Sequence, residues 1–236
     1  MDIRTLPERE RQIYNSIREK HKVIFEKLRI ADDTIRLLKI ADLEEYLGGK
    51  DPFANVSEFP FWIRLWDAAI ILAYVLHSLP NARGRKLLEL GAGLGAPGLA
   101  AAAAGFKVTI SDYEEIILNF QQVSAAASGL EGVECILLDW LKPPDIGKFD
   151  VLAGAEILFR EEFFAPLLSI CKQYLAENGR IYLAHDARRQ SLGKFLRIAE
   201  KDFMIATQSQ KIRRDDKEIT VIVNCLRHRT SADPAP

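Results

Sequence analysis

Between residues 86 and 104 the apolar segment KLLEL runs straight into GAGLGAPG and then into the small-residue run LAAAAA. A strand that must turn within a few residues into a helix constrains this chain more than any other stretch. Glycine is required there because a missing Cβ permits positive φ and close approach of a ligand to the main chain. Pro97 suits the first helical turn, and a helix start offers unpaired N–H groups. The segment therefore predicts a nucleotide-binding turn.

Around it, helical and extended patterns alternate. An apolar helix from Phe61 through Leu79 precedes KLLEL. KVTIS, a helix over 114–128, VECILL, FDVLAGA, a helix over 161–175, GRIYLAH and a helix over 189–200 follow the turn. Strands separated by helices of this length form parallel sheets covered on both faces. FMIATQSQ and EITVIVNCL, joined by the charged KIRRDDK, read instead as an antiparallel hairpin. The expected fold is α/β: a Rossmann-like seven-stranded, mostly parallel sheet with an antiparallel C-terminal hairpin. Upstream, residues 7–21 carry helical spacing, VIFEKLRI and TIRLLKI flank a turn at Ala31-Asp32-Asp33, and 41–48 form a short helix closed by Gly48-Gly49. This divides the chain into an N-terminal helix and β-hairpin appendage (1–58), a catalytic domain (59–228) and a flexible tail (229–236).

Lys plus Arg total 32 against 33 Asp plus Glu, a net charge of -1, so no basic excess recruits nucleic acid or anionic lipid. The start, MDIRTLPERERQ, lacks a signal-peptide core, and no apolar run reaches membrane-spanning length. Cys135, Cys171 and Cys225 are widely spaced, which fits a reducing, cytoplasmic compartment without disulfides. His21, His77, His185 and His228 fall in separate segments, and no metal is expected.

Two chemistries match the turn. Gly93-x-Gly95-x-x-Gly98 fits the dinucleotide fingerprint, and Glu89-x-Gly91-x-Gly93-x-Gly95 fits the S-adenosylmethionine loop. Glu89 favours the second, because a carboxylate before the turn can orient a cationic aminoacyl group and offers nothing to a pyrophosphate. Asp112 is placed to accept from ribose hydroxyls in either class. Asp139 and Trp140 can meet an exocyclic amine and an adenine face.

LELGAGLGAPG, ISDYEEIILNF, LLDW and FDVLAGAEILF, in this order, resemble the successive motifs of class I, seven-strand S-adenosylmethionine-dependent methyltransferases. LWDAAIILAYVL, AEILF and ARRQSLGKFLRIAEKDF are similar to the methyltransferase-like protein lysine methyltransferases, methyltransferase family 16, over residues 59–227. The resemblance implies that Trp66, Gly91, Ala92, Gly93, Asp112, Trp140 and Ala155 contact the cofactor, with Tyr113 in the same motif as Asp112. The acidic-x-x-aromatic motif falls on Glu156 to Phe159, where relatives commonly carry Asp and Tyr; Ser124 stands where relatives often have Asn.

A lysine acceptor must be presented as the neutral amine. Glu156 is expected to position it, and Phe159, one turn on if a helix starts there, to wall a cation-accepting channel or to pack in the core. His185 is a credible proton acceptor, although a solvated loop histidine is the favoured reading. Arg188 and Arg189 either meet an acidic substrate or are simply solvated, and KIRRDDK reads as a hairpin tip. Phe59, Pro60, Phe61 and Trp62 either line the pocket mouth or staple the appendage to the core. The expected activity is N-methyl transfer from S-adenosylmethionine, leaving S-adenosylhomocysteine, to a protein lysine. The alternatives are a small amine acceptor or, with less support, an NAD-binding oxidoreductase.

Overall fold

The computed structural model describes residues 2–48, 60–214, 217–230 and 232–233. Helix α1 (Glu8–Lys20) opens with Glu8 and Glu10 and closes with Arg18 and Lys20, charges that complement its dipole. It buries Tyr14 and Ile17, and Tyr14 stacks on Phe25 with ring centroids 5.8 Å apart. Strands β1 (Val23–Ile30) and β2 (Asp33–Ile40) pair antiparallel as a separate two-stranded sheet around a turn in which Ala31 takes φ 50°. Helix α2 (Leu43–Leu47) ends at Gly48 in the left-handed conformation. Residues 49–59, including Gly49 and Phe59, lie outside the described residues.

The hairpin docks through two serines of a later helix, α5 (Glu115–Ala127), and its C-cap. Ser124 Oγ accepts the Leu38 N–H and Ser128 Oγ accepts the Arg36 N–H, each at 2.8 Å. Each hydroxyl donates onward to the carbonyl one turn back, Phe120 and Ser124 respectively. The edge of β2 is thus paired to a helix, and Ser124 points away from the cavity described below. Ser124→Ala leaves the Leu38 N–H buried without an acceptor, so stability should fall by about 1–3 kcal/mol. Urea unfolding checks this, and a change below about 0.5 kcal/mol would remove the anchoring role.

Helix α3 (Asp67–His77), strand β3 (Lys86–Glu89), helix α4 (Ala96–Ala103), strand β4 (Lys107–Asp112), α5, and strands β5 (Glu134–Leu137) and β6 (Phe149–Ala155) follow. Then come helix α6 (Phe164–Tyr174), strand β7 (Leu175–Asp186), helix α7 (Gln190–Ala199), and strands β8 (Phe203–Arg214) and β9 (Lys217–His228). The seven-stranded sheet has the order β5-β4-β3-β6-β7-β9-β8, parallel up to β7, with β9 antiparallel to both neighbours. Successive residues feed opposite layers: Leu87 packs with α3, α4, α5 and the N-terminal hairpin, Leu88 with α6 and α7. Leu28, Ile30, Ile35, Leu37 and Leu38 share one apolar cluster with Leu72 and Phe120, so the hairpin adds to the core. Among the described residues no helix is long and apolar enough to cross a membrane.

Three boundaries differ from expectation. The helix anticipated from Phe61 begins at Asp67, because Phe61–Ile63 form a 3-10 turn and Trp66 Nε1 donates to the Phe61 carbonyl at 2.9 Å. Strand β7 starts at Leu175, paired with Phe149. The C-terminal ribbon reaches Arg214, so most of KIRRDDK is strand rather than tip: Ile212 faces Ile219 against the core, and Arg214 donates to the Leu65 carbonyl and Asp67 at 3.3 Å.

Candidate active site

Strand order reverses beside β3, with β4 on one side and β6 on the other, and a crevice opens beyond the carboxyl ends of strands at such a switch point. A cavity of about 440 Å³ lies there, within the range of small-molecule clefts. Its lining brings together Trp66, Glu89, Gly91, Ala92, Gly93, Gly95, Asp112, Tyr113, Asp139, Trp140, Ala155, Glu156 and Phe159.

The turn after β3 is held from several sides. Gly91 takes φ 57°, and a Cβ there would lie 3.1 Å from Ile157 Cγ2 and 3.3 Å from Trp140 Cζ2. Gly93 donates its N–H to Asp112 Oδ2 at 2.7 Å, and its carbonyl accepts from Gln121 Nε2 at 2.8 Å. The other Asp112 oxygen accepts the Tyr113 N–H at 2.8 Å. Sequence reasoning missed Gln121; the signal was an amide in the apolar stripe Ile117, Phe120, Val123, now fully buried. Tyr113 is exposed, Asp139 accepts the Leu141 N–H at 2.8 Å, and Trp140 meets Phe163 edge to face at 6.0 Å.

Glu89 is 1% exposed, and its Oε2 accepts the N–H of Gly98, in the first turn of α4, at 2.7 Å. The glycine is needed because a Cβ there would sit 2.6 Å from Glu89 Oε2 and 2.9 Å from Ile110 Cγ1. Burial pushes the Glu89 carboxyl up to about 8 against the lowering effect of that bond. Burial also raises Asp112 to about 6, opposed by the Gly93 and Tyr113 amides. The Glu89 and Asp112 carboxyl groups occupy the Gly98 and Gly93 N–H groups that a pyrophosphate would use, so the site disfavours a dinucleotide.

On the neighbouring strand, Glu156 follows β6 in the left-handed region at φ 56°, with its N–H on the Ala184 carbonyl at 2.9 Å. Its Oε1 accepts the Asp186 N–H at 2.6 Å, its Oε2 accepts Arg189 Nε at 2.6 Å, and Arg189 Nη2 makes an ion-pair contact with Oε2 at 2.5 Å. No helix starts at Glu156, so Phe159 reaches the cavity through an irregular segment whose Leu158 carbonyl accepts from Ser191 Oγ. Ile157 and Leu158 turn into the core, while Phe159 is 43% exposed.

The flanking expectations resolve separately. Arg188 is exposed on Asp186, whereas Arg189 enters the cavity lining, so the two adjacent arginines differ in role. His185 is fully buried at the end of β7, not in a solvated loop, and both ring nitrogens lack partners among the described residues. Burial, then the charge of Arg189, lowers its pKa to about 3, which keeps it neutral and removes it as a proton acceptor. Phe61 lines the mouth, while Trp62 staples the layers between Tyr46 and Phe120, at 6.2 and 5.0 Å.

A glycine turn at β3, carboxylates at β3 and β4, an indole beyond β5 and an acidic residue after β6 define a class I S-adenosylmethionine-dependent methyltransferase. A family model described as lysine methyltransferase matches residues 62–204. The chain belongs to that lysine methyltransferase family. It is 30% identical over 175 residues to EEF1A lysine methyltransferase 3 of Mus musculus, covering 72% of this chain and 73% of that one. It is also 30% identical over 185 residues to a histidine protein methyltransferase 1 homolog of Dictyostelium discoideum, covering 75% of this chain and spanning 59% of that protein's length. The Synechocystis magnesium protoporphyrin IX methyltransferase structure with bound S-adenosylmethionine shares the fold: TM-score 0.54, 18% identity, 79% of this chain and 99% of that one. The protein is an S-adenosylmethionine-dependent enzyme, and a cavity lined by two carboxyl groups, glycine backbone and aromatic rings is compatible in chemistry with a cationic nucleoside donor.

Proposed function

We propose that the acceptor is the ε-amine of a lysine in a protein, with Glu156 as its positioning residue. The observation that carries this is the carboxylate of Glu156 in the cavity wall, after the strand next to the glycine turn, oriented by Asp186 and Arg189. On the donor side, Glu89 and the glycine turn hold the aminoacyl end, Asp112 the ribose, and Asp139 and Trp140 the base, with Trp66, Tyr113 and Ala155 completing the wall. Bound there, the donor supplies a methyl group on a cationic sulfur.

An acceptor lysine arrives as ammonium, which the Glu156 carboxylate attracts and orients. Phe61, Phe159 and Phe163 exclude water around it, and desolvation favours loss of its proton to solvent, leaving the nucleophilic amine. Glu156 already accepts two hydrogen bonds and is ion-paired to Arg189, which suits orientation better than proton abstraction. Mass spectrometry of candidate proteins after incubation with isotopically labelled donor tests the reading. Label on lysine is the expected result; label on free metabolites alone would overturn it. Unpaired Cys135, Cys171 and Cys225 support assignment to the cytoplasm.

The raised Glu89 carboxyl makes donor binding pH-dependent. A cation favours the ionised form, so below about 8 binding must release a proton from Glu89, and affinity climbs with pH. It should be on the order of tenfold tighter at pH 8 than at pH 6.5, then weaken as the donor's own α-amino group deprotonates. Folding runs the other way: between about 4.5 and 8 the unfolded carboxyl is ionised and the folded one protonated, so the Glu89 contribution to stability is lost as pH rises. Calorimetry in two buffers of different ionisation heat checks the proton release, which Glu89→Gln should abolish.

A further inference from the structure

Glu156 is the carboxylate offered to the acceptor, and it is already matched by a cation. Its side chain is 9% exposed; Oε2 accepts Arg189 Nε at 2.6 Å, and Nη2 lies 2.5 Å from the same oxygen. Arg189 stands at the N-cap of α7 with its N–H on the Asp186 carbonyl at 2.9 Å, so both side-chain partners of Glu156 come from one turn after β7. The guanidinium is 29% exposed and belongs to the cavity lining. A planar, permanently charged group is thereby fixed on the carboxylate that the acceptor nitrogen would meet.

The pairing decides what Glu156 does to an amine. An unopposed carboxylate within about 4–6 Å favours the protonated form of an amine by roughly ten- to a thousandfold. Burial enlarges that effect, because the field is then poorly screened. Glu156 alone would therefore hold a lysine as ammonium, which has no lone pair for methyl transfer. With Arg189 on Oε2 the pair carries no net charge, while Oε1, which accepts the Asp186 N–H, keeps a second lone pair for an N–H of the acceptor. The charge of Arg189 is felt beyond its partner: after burial, it is the second cause that lowers His185 to about 3. The remaining charged groups around the site have partners of their own. Glu89, Asp112 and Asp139 accept backbone amides, Arg64 lies over Trp66, and Arg160 lies over Phe159 beside Glu162. Asp186 pairs with Arg188, and Asp67 with Arg214. Burial, then Glu114, pushes the Tyr113 hydroxyl up, so it stays neutral.

We propose that Arg189 is a positioning residue that keeps Glu156 a hydrogen-bond acceptor and stops it from trapping the acceptor as ammonium. The lysine proton leaves to water, and the neutral amine stays oriented through a remaining N–H on Glu156. The inference rests on the protein-lysine reading of Glu156 and adds to it the control of the acceptor's protonation.

The test uses a donor analogue on the full chain, in which nitrogen replaces the sulfur and a short alkyl tail ending in an isotope-labelled amine replaces the methyl group. With the analogue saturating, nitrogen NMR across a pH titration reads the protonation of the tail amine beside Glu156. Arg189→Gln should cut the neutral fraction of that amine about tenfold at a fixed pH, whereas Arg189→Lys, which keeps the charge, should stay within about twofold of the wild type. Glu156→Gln should move the titration the other way, toward more neutral amine. A role in packing alone would not separate glutamine from lysine at position 189 in this manner. An unchanged neutral fraction in Arg189→Gln, or an equal loss in Arg189→Lys, overturns the proposal. If Glu156→Gln still moves the titration in that case, the Glu156 reading stands and the role of Arg189 alone fails. If Glu156→Gln also leaves the amine unmoved, the reading of Glu156 falls with it.

Discussion

Asp112→Asn is expected to weaken S-adenosylhomocysteine binding on the order of 100-fold. The carboxylate accepts two backbone amides at once, from Gly93 at 2.7 Å and Tyr113 at 2.8 Å. An asparagine must turn its amide group toward one of those donors, so one charge-assisted bond is lost and the other weakened, each worth about 1.5–3 kcal/mol. The proposed ribose acceptor would be lost in the same step. Asp112→Ala should weaken binding at least as much, since it removes both tethers of Gly93 and Tyr113. Titration calorimetry measures the constants, and a loss under about fivefold in either variant would show that the turn is held without Asp112.

Glu156→Gln should behave differently, lowering kcat roughly 100-fold while changing donor affinity little. The side chain is 9% exposed and meets Asp186 and Arg189. Glutamine keeps the shape but leaves the guanidinium without its counter-charge, so both groups drift from the positions that orient the acceptor, and misplacement by about 1 Å costs on that scale. Steady-state kinetics separates the outcomes. If KM for the donor rises as steeply as kcat falls, Glu156 belongs to the donor site and the assignment fails. Glu156→Gly, which relieves the φ of 56°, should not restore turnover, because the defect is the absent carboxylate.

The sheet was legible because its strands and helices carry different periods and each apolar segment is bounded by turn residues. Most of the candidate site residues were legible as positions at or just beyond the carboxyl ends of strands, which a parallel sheet brings to one edge whatever their separation in the chain, whereas Trp66, just before α3, came from the family resemblance. What escaped were the partners. Gly98 lies 9 residues from Glu89, Gln121 lies 28 from Gly93, Arg189 lies 33 from Glu156, and Ser124 lies 86 from Leu38. Nothing local distinguishes Arg189 from Arg188, although one grips the site carboxylate and the other lies in solvent.

His185 shows the same limit from the other side. Its neighbours in sequence, Asp186, Arg188 and Arg189, made a solvated loop reasonable, yet β7 continues through Asp186 and covers the imidazole completely. Local pattern by itself determined the α/β architecture, the glycine turn and the residue types presented at the strand ends, since these follow from periodicity and from backbone angles that glycine permits. Tertiary packing alone decided which carboxylate faces which amide, which arginine reaches Glu156 and which groups are buried. Hydrogen bonds and desolvation depend on distances between segments, and those distances exist only once the layers have closed.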